Sequence, residues 1–296
     1  MDWKVTAAAV TGLVILVTGG VLLATSNPME SGKAEGAIIQ LSGSISATSG
    51  GLTSSALTPE KVRELNEKAL EQGADVIIYE INSGGGTVVA SKEIMREIES
   101  VEVPTVCRIR DVGASGAYLL STGCDRIVAD SASLTGSIGV RSSYLEYSGL
   151  LNKLGVEYVN ITSGKYKEIG SRYSNITSRE RKMLKQKAEA IHRQFLETVK
   201  EERNLTRSQV QTIKTGNIFL GKKAKELGLV DRLGGRMTAK KTAEDLVGRN
   251  VSFSEVQQGP QFGLLSLMGI DSMAGEMLSL VTETGTRVPF KASYGY

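Results

Sequence analysis

The sequence holds one histidine, His192, two cysteines, one tryptophan and five prolines in 296 residues. That histidine and the pair of cysteines cannot supply a zinc site of the usual tetrahedral nitrogen and sulfur ligands, and a serine nucleophile with a lysine base needs neither metal nor cofactor. A hydroxyl nucleophile needs a base, most often histidine. His192 falls in a charged stretch expected to be an exposed helix, so lysine is the expected base for any catalytic serine here. A strong charge bias is missing too. Lys and Arg number 35 against 32 Asp and Glu, a net +3 that gives no argument for nucleic acid, and no nucleic-acid-binding motif is present. Cys107, in an expected core strand, and Cys124, at an expected helix end, read as buried small hydrophobes rather than redox groups. What remains is an ordinary globular composition, 41% hydrophobic and 23% charged, with 33 glycines.

One long uncharged run stands at the amino terminus. Residues 5–24 carry no charge and are rich in Ala, Val, Leu and Gly. About 20 apolar residues suffice to cross a bilayer as a helix. The run is long for a signal-peptide core, and Leu22-Leu23-Ala24-Thr25-Ser26-Asn27-Pro28 offers no clean small-x-small cleavage site. A signal anchor over 5–25 is expected in preference to a cleaved signal, with residues 1–4 as its flank and 26–35 as a polar linker. Lys4 favours a cytoplasmic amino terminus, leaving the rest of the chain extracytoplasmic.

Beyond the linker, strand and helix signals alternate every 25 to 30 residues, the mark of an α/β fold with largely parallel sheets. Strands are expected at 36–41, 75–81, 104–110, 125–129 and 157–161. Thr58-Pro59-Glu60 opens a helix with an N-cap, a first-turn proline and an acid. Further helices are expected at 88–99, at 114–121 and, behind the capping box Thr177-Ser178-Arg179-Glu180, from 178 to 202. Shorter ones follow near 207–214, 222–227 and 238–246. The Ser- and Gly-rich stretch 42–55 reads as a loop, and 249–296 as a C-terminal extension and tail outside a domain of 36–248.

Three loops carry the residue types of acyl transfer. Asn82-Ser83-Gly84-Gly85-Gly86 follows a strand, where backbone N–H groups can approach a substrate without Cβ obstruction. Gly113-Ala114-Ser115-Gly116 places a hydroxyl at a strand-to-helix corner. Ser163-Gly164-Lys165-Tyr166-Lys167-Glu168 offers two lysines, either of which acts as a base only when neutral. Each piece has an ordinary meaning: a turn, a tightly packed N-cap, a solvated pair of cations. Their order gives them weight.

In that order, and with Leu134-Thr135-Gly136-Ser137-Ile138-Gly139-Val140 between the second and third, these segments resemble signal peptide peptidase A in its short, single-repeat form. The later Gly221-Lys222-Lys223-Ala224-Lys225-Glu226-Leu227-Gly228-Leu229-Val230-Asp231 is similar to the same family. The resemblance, covering about 36–248, implies a crotonase/ClpP-like fold of repeated ββα units behind one transmembrane helix. It implies a Ser–Lys peptidase with Ser115 as nucleophile, Lys167 as base and Ser137 orienting the lysine. Lys165 stands second as base. The oxyanion hole would be formed by backbone N–H groups of Gly116 and of Gly86 or Gly85. It also implies a homo-oligomeric ring with the dyad shared between protomers, and remnant signal peptides or other membrane-derived peptides as substrates. The family's glycine loop commonly carries proline where Gly84 stands. The rival readings are a related membrane peptidase acting on a stomatin-like partner, an acyl-CoA hydratase or isomerase on the same fold, and an inactive scaffold.

Overall fold

A computed structural model describes residues 34–48 and 56–256. The expected anchor at 5–25, nearly all of the linker 26–35 and the tail from 257 lie outside them. Among the described residues, no helix is long and apolar enough to cross a membrane.

The fold is mixed α/β around a mostly parallel eight-stranded sheet. Its strands are β1 (Ala34–Ser42), β2 (Val76–Ser83), β3 (Thr105–Ala114), β4 (Arg126–Ala129), β5 (Leu134–Gly136), β6 (Ile218–Leu220), β7 (Arg232–Leu233) and β8 (Val251–Glu255). The main order is β6-β5-β3-β2-β1-β8, with β4 pairing β3 and β7. Among the described residues, only the β5–β6 pair is antiparallel. The connecting helices are α1 (Pro59–Glu71), α2 (Val88–Glu99), α3 (Gly116–Ser121), α4 (Ser148–Lys153), α5 (Ser178–Glu202), α6 (Arg207–Ile213), α7 (Gly221–Glu226) and α8 (Arg236–Val247).

The period-2 alternation of a strand sorts β2 into two faces. Ile77, Tyr79 and Ile81 enter the larger core, with α1, α2 and α3 on that side. Val76 and Ile78 enter a smaller core closed by Ala239 and Ala243 of α8. Glu80 points to this second side and is fully buried, where Arg236, Arg108 and Gln40 all donate to its carboxylate. Burial pushes the Glu80 carboxyl up, but those donors outweigh it and hold the group at about 2. On the larger side, Tyr79 Oη donates to Asn66 Oδ1 at 2.7 Å and Asn66 Nδ2 to Glu97 O at 2.9 Å, joining β2, α1 and α2.

Three sequence expectations need correction. Residues 157–161 form no strand: among the described residues no other segment pairs with them, and Val159 and Ile161 are 70% and 94% exposed. An unpaired strand leaves its backbone groups to water and gains nothing from a ladder. Cys107 and Cys124 are buried as expected, but they form a disulfide with Cα atoms 5.8 Å apart. Cys124 ends the turn after α3, just before β4, and β4 pairs with β3, which carries Cys107. Finally, the sheet continues past Gly248, because β8 pairs in parallel with β1 along Ala34–Ile38.

Candidate active site

Two of the three loops of interest, 82–86 and 113–116, stand at the carboxyl ends of parallel strands, where open α/β sheets place their ligand sites. β3 runs to Ala114, further than the sequence pattern suggests, and α3 starts only at Gly116. Ser115 is thus the single residue of the corner. Its backbone has φ 55° and ψ −123°, a left-handed conformation that disfavours any side chain. This is the geometry of a nucleophile elbow, which lifts a hydroxyl clear of the sheet edge. Ser115 N donates to Gly136 O at 2.9 Å, and Thr135 Oγ1 donates to Gly113 O at 2.7 Å, so β5 clamps both sides of the corner.

The 82–86 loop packs against the same corner. A Cβ on Gly85 would stand 2.7 Å from Gly116 N, and one on Gly86 would stand 1.9 Å from Ile45 O. Only glycine permits so close an approach at 86. The Gly85 N–H is already taken, donating to Ser83 Oγ at 3.1 Å. Among the described residues nothing accepts from the N–H of Gly86 or of Gly116. The alternative between Gly85 and Gly86 as donor therefore narrows to Gly86.

Ser115, Gly86 and Gly116 line one cavity of about 310 Å³, together with Ser91, Leu119 and Phe195. Sequence reasoning missed Ser91 and Phe195. Ser91 is a fully buried helix serine whose Oγ donates to Thr87 O at 2.8 Å. Phe195 is a buried aromatic within an otherwise charged helix, and that contrast was its signal.

Ser137 directly follows Gly136, the acceptor of the Ser115 N–H. It has φ 51° and donates its own N–H to Asn217 O at 2.8 Å. Lys167 does not line the cavity. It is exposed on a turn in which its N–H donates to Gly164 O at 3.0 Å. Lys165 Nζ lies 5.7 Å from the ring centre of Tyr166, and Arg179 sits over the same ring at 5.8 Å. Within one chain, neither lysine shares the cavity with Ser115. His192, exposed in the sequence reading, is half-buried on α5, and its Nε2 is buried without a partner.

The pattern of peptidase family S49 matches residues 97–250, which include Ser115, Ser137 and both lysines.

The chain belongs to peptidase family S49.

It is, accordingly, a serine peptidase. A candidate protease of Methanocaldococcus jannaschii is 36% identical over 222 residues, covering 72% of this chain and 71% of that protein. A candidate signal peptide peptidase SppA of Enterococcus faecium is 35% identical over 161 residues, covering 53% of this chain and 47% of that protein. The chloroplastic serine protease SPPA of Arabidopsis thaliana is 32% identical over 213 residues, covering 69% of this chain but 31% of its own. The chain thus spans less than half of the latter two relatives. Two solved structures, both mutants of the 1510-N membrane-bound stomatin-specific protease, align at TM-score 0.52 with 13% and 14% identity. They cover 77% and 80% of this chain and 99% and 98% of theirs, and the second holds a substrate peptide. At that identity the likeness shows the fold alone.

In this S49 chain the Gly228–Asp231 segment has a structural part. Leu229 O accepts from Tyr118 Oη at 2.9 Å, beneath α3. Asp231 accepts from Arg203 Nη2 and from the Ile127 N–H, both at 2.7 Å, joining α5 to β4.

Proposed function

We propose that this S49 peptidase cuts peptides through an acyl-enzyme on Ser115, with Lys167 of a neighbouring copy as general base. The observation that carries the reading is the Ser115 corner itself. A strained serine faces a cavity into which two unaccepted backbone N–H groups, of Gly86 and Gly116, can converge on a developing oxyanion. Ser115 Oγ would attack the scissile carbonyl while the lysine takes its proton. The same lysine would then protonate the leaving amine, and water would release the acyl group. Ser137, next to the residue bonded to Ser115, would hydrogen-bond the neutral amine of the incoming lysine and hold it in line.

The shared dyad is supported by what one chain lacks and exposes. Lys167 lies outside the cavity, and the segment around it presents Leu154, Val159 and Ile161 to solvent at 67%, 70% and 94% exposure. An apolar stretch of that kind suits burial against another copy, as a homo-oligomeric ring would provide. Residues 5–25 would anchor the chain, with the peptidase domain extracytoplasmic and a crotonase/ClpP-like ancestry for its fold. The Cys107–Cys124 disulfide fits such an oxidising compartment. Substrates would then be remnant signal peptides or other flexible, membrane-derived peptides.

The test is labelling by a fluorophosphonate probe, followed by peptide mapping, on assembled and monomeric protein separately. The expected result is modification of Ser115 confined to the assembly. Labelling of another residue overturns the nucleophile, and equal labelling of the monomer overturns the shared dyad.

A further inference from the structure

A second cavity, of about 650 Å³, adjoins the one at Ser115, and Val140 and Arg141 line both. Its long wall is one stripe of α5. Arg181, Leu184, Lys185 and Ala188 recur at helical spacing along that wall, and Phe195, seven residues on from Ala188, lines the Ser115 cavity. A single helix face therefore runs past both cavities.

The charge of this second cavity is uneven. Arg141, Arg181 and Lys185 contribute three cations, against Glu146 as the acid of the lining. Glu146 is already engaged, accepting from the Ser148 N–H. Among the described residues Arg141 and Arg181 make no ion pair, and Lys185 has only an exposed partner, Glu189, at 3.7 Å. Ile176 and Leu184 supply apolar surface between the cations.

Resting on the assignment of Ser115 as nucleophile, we propose that this second cavity is a substrate subsite for peptides that carry an acidic side chain some way from the bond cut. The α5 stripe sets the distance. Lys185 and Phe195 are ten residues apart, about 15 Å along the helix axis at 1.5 Å per residue. An extended peptide rises about 3.3 Å per residue, so it covers that span in four or five residues. A carboxylate at that remove from the scissile bond reaches Lys185, with Arg181 one helical turn further along α5 and Arg141 at the junction of the two cavities. Aliphatic side chains beside the acid lie on Ile176 and Leu184. A basic side chain at the same position meets three like charges.

Paired fluorogenic peptides, identical except for Glu or Lys at positions three to six residues on either side of the scissile bond, test this with the full-length, assembled enzyme. The readout is the ratio of kcat/KM for Glu over Lys at each position, which is insensitive to the fraction of folded enzyme. The wild type is expected to favour Glu by roughly three- to tenfold at four or five residues on one side only, the span for two exposed charge pairs. Arg181→Glu with Lys185→Glu is expected to invert that ratio, and Arg181→Gln with Lys185→Gln to bring it near one. A wild-type ratio near one, or a ratio unmoved in both double variants, overturns the subsite. Fluorophosphonate labelling of wild type and Ser115→Ala is read in parallel. If Ser115 is not the labelled residue, the nucleophile assignment fails, whatever the charge ratios show.

Discussion

The backbone N–H of Ser115 donates to the carbonyl of Gly136 at 2.9 Å, tying the serine at the strained corner to the strand end that continues into Ser137. The bond fixes the proposed nucleophile and the proposed lysine-orienting serine to one another through the main chain. Their relation does not depend on the rotamer of either side chain.

The corner stores strain that a change of residue can release. A serine at φ 55°, ψ −123° costs about 1–3 kcal/mol, whereas glycine occupies that region freely. Ser115→Gly should therefore abolish peptidase activity and raise stability by about 1 kcal/mol in urea unfolding. Ser115→Ala should abolish activity while leaving stability near wild type, because its Cβ keeps the strain. Equal stability of the two variants would show that the corner carries none.

The glycine loop should discriminate sharply between neighbouring positions. A Cβ at Gly84 meets nothing within 4 Å, while one at Gly86 collides with Ile45 O. Gly84→Ala is expected to keep kcat within a few-fold of wild type. Gly86→Ala should displace its N–H and lower kcat by about 100-fold or more, the scale for losing one oxyanion donor. Steady-state kinetics on the full chain would check both, and a benign Gly86→Ala would remove Gly86 from the site.

Complementation tests the sharing of the dyad. Ser115→Ala and Lys167→Ala should each be inactive, and activity should return when the two variants are assembled together. Lys165→Ala and His192→Gln should remain active, since Lys165 sits at the Tyr166 ring and His192 lies outside the cavity lining. No recovery in mixed assemblies would place both dyad members in one chain.

Glu80 makes stability depend on acid. Its folded value, about 2, lies below the ordinary carboxylate value of 4.5. The folded state therefore binds that proton less readily than the unfolded chain, so the contribution is complete above pH 4.5 and lost as pH falls toward 2. Glu80→Gln should destabilise the protein near neutral pH and flatten the fall in stability across that window, as followed by denaturant unfolding at a series of pH values. An unchanged slope would mean that other carboxylates govern acid unfolding.

The disulfide should be worth about 3 kcal/mol, the chain-entropy value for a loop of this size. Thermal unfolding with and without reductant, compared with Cys107→Ala paired with Cys124→Ala, measures it. A transition that ignores reductant would show that the bond does not form.

Much of this architecture could be read from pattern. The helix at Val88–Glu99 and the capping box at Thr177 fall where local chemistry puts them, because caps and apolar periodicity act over a single turn. The strand expected at 157–161 failed because alternating apolar residues show that a face will be buried, not by what. The disulfide escaped notice because 17 residues and the whole of α3 separate Cys107 from Cys124. Glu80 had a visible signal: a carboxylate inside the apolar run of β2 demands partners, but nothing local could name Arg236, 156 residues away. At the site, the serine and glycines announced themselves as loop chemistry. Ser91 and Arg141 did not, since the first looks like helix packing and the second like a surface charge, and Phe195 stood out only as an aromatic on a polar helix.

The disulfide has one more consequence. Cys107 precedes the corner and Cys124 follows it, so Ser115 rides on a closed covalent hoop made of β3, α3 and the turn behind it. A chain still in a reducing compartment would carry the same serine on an open segment, held by its strand pairing and the Gly136 bond alone. Oxidation would then do for the serine what firing does for clay, setting a shape that the sequence had only outlined.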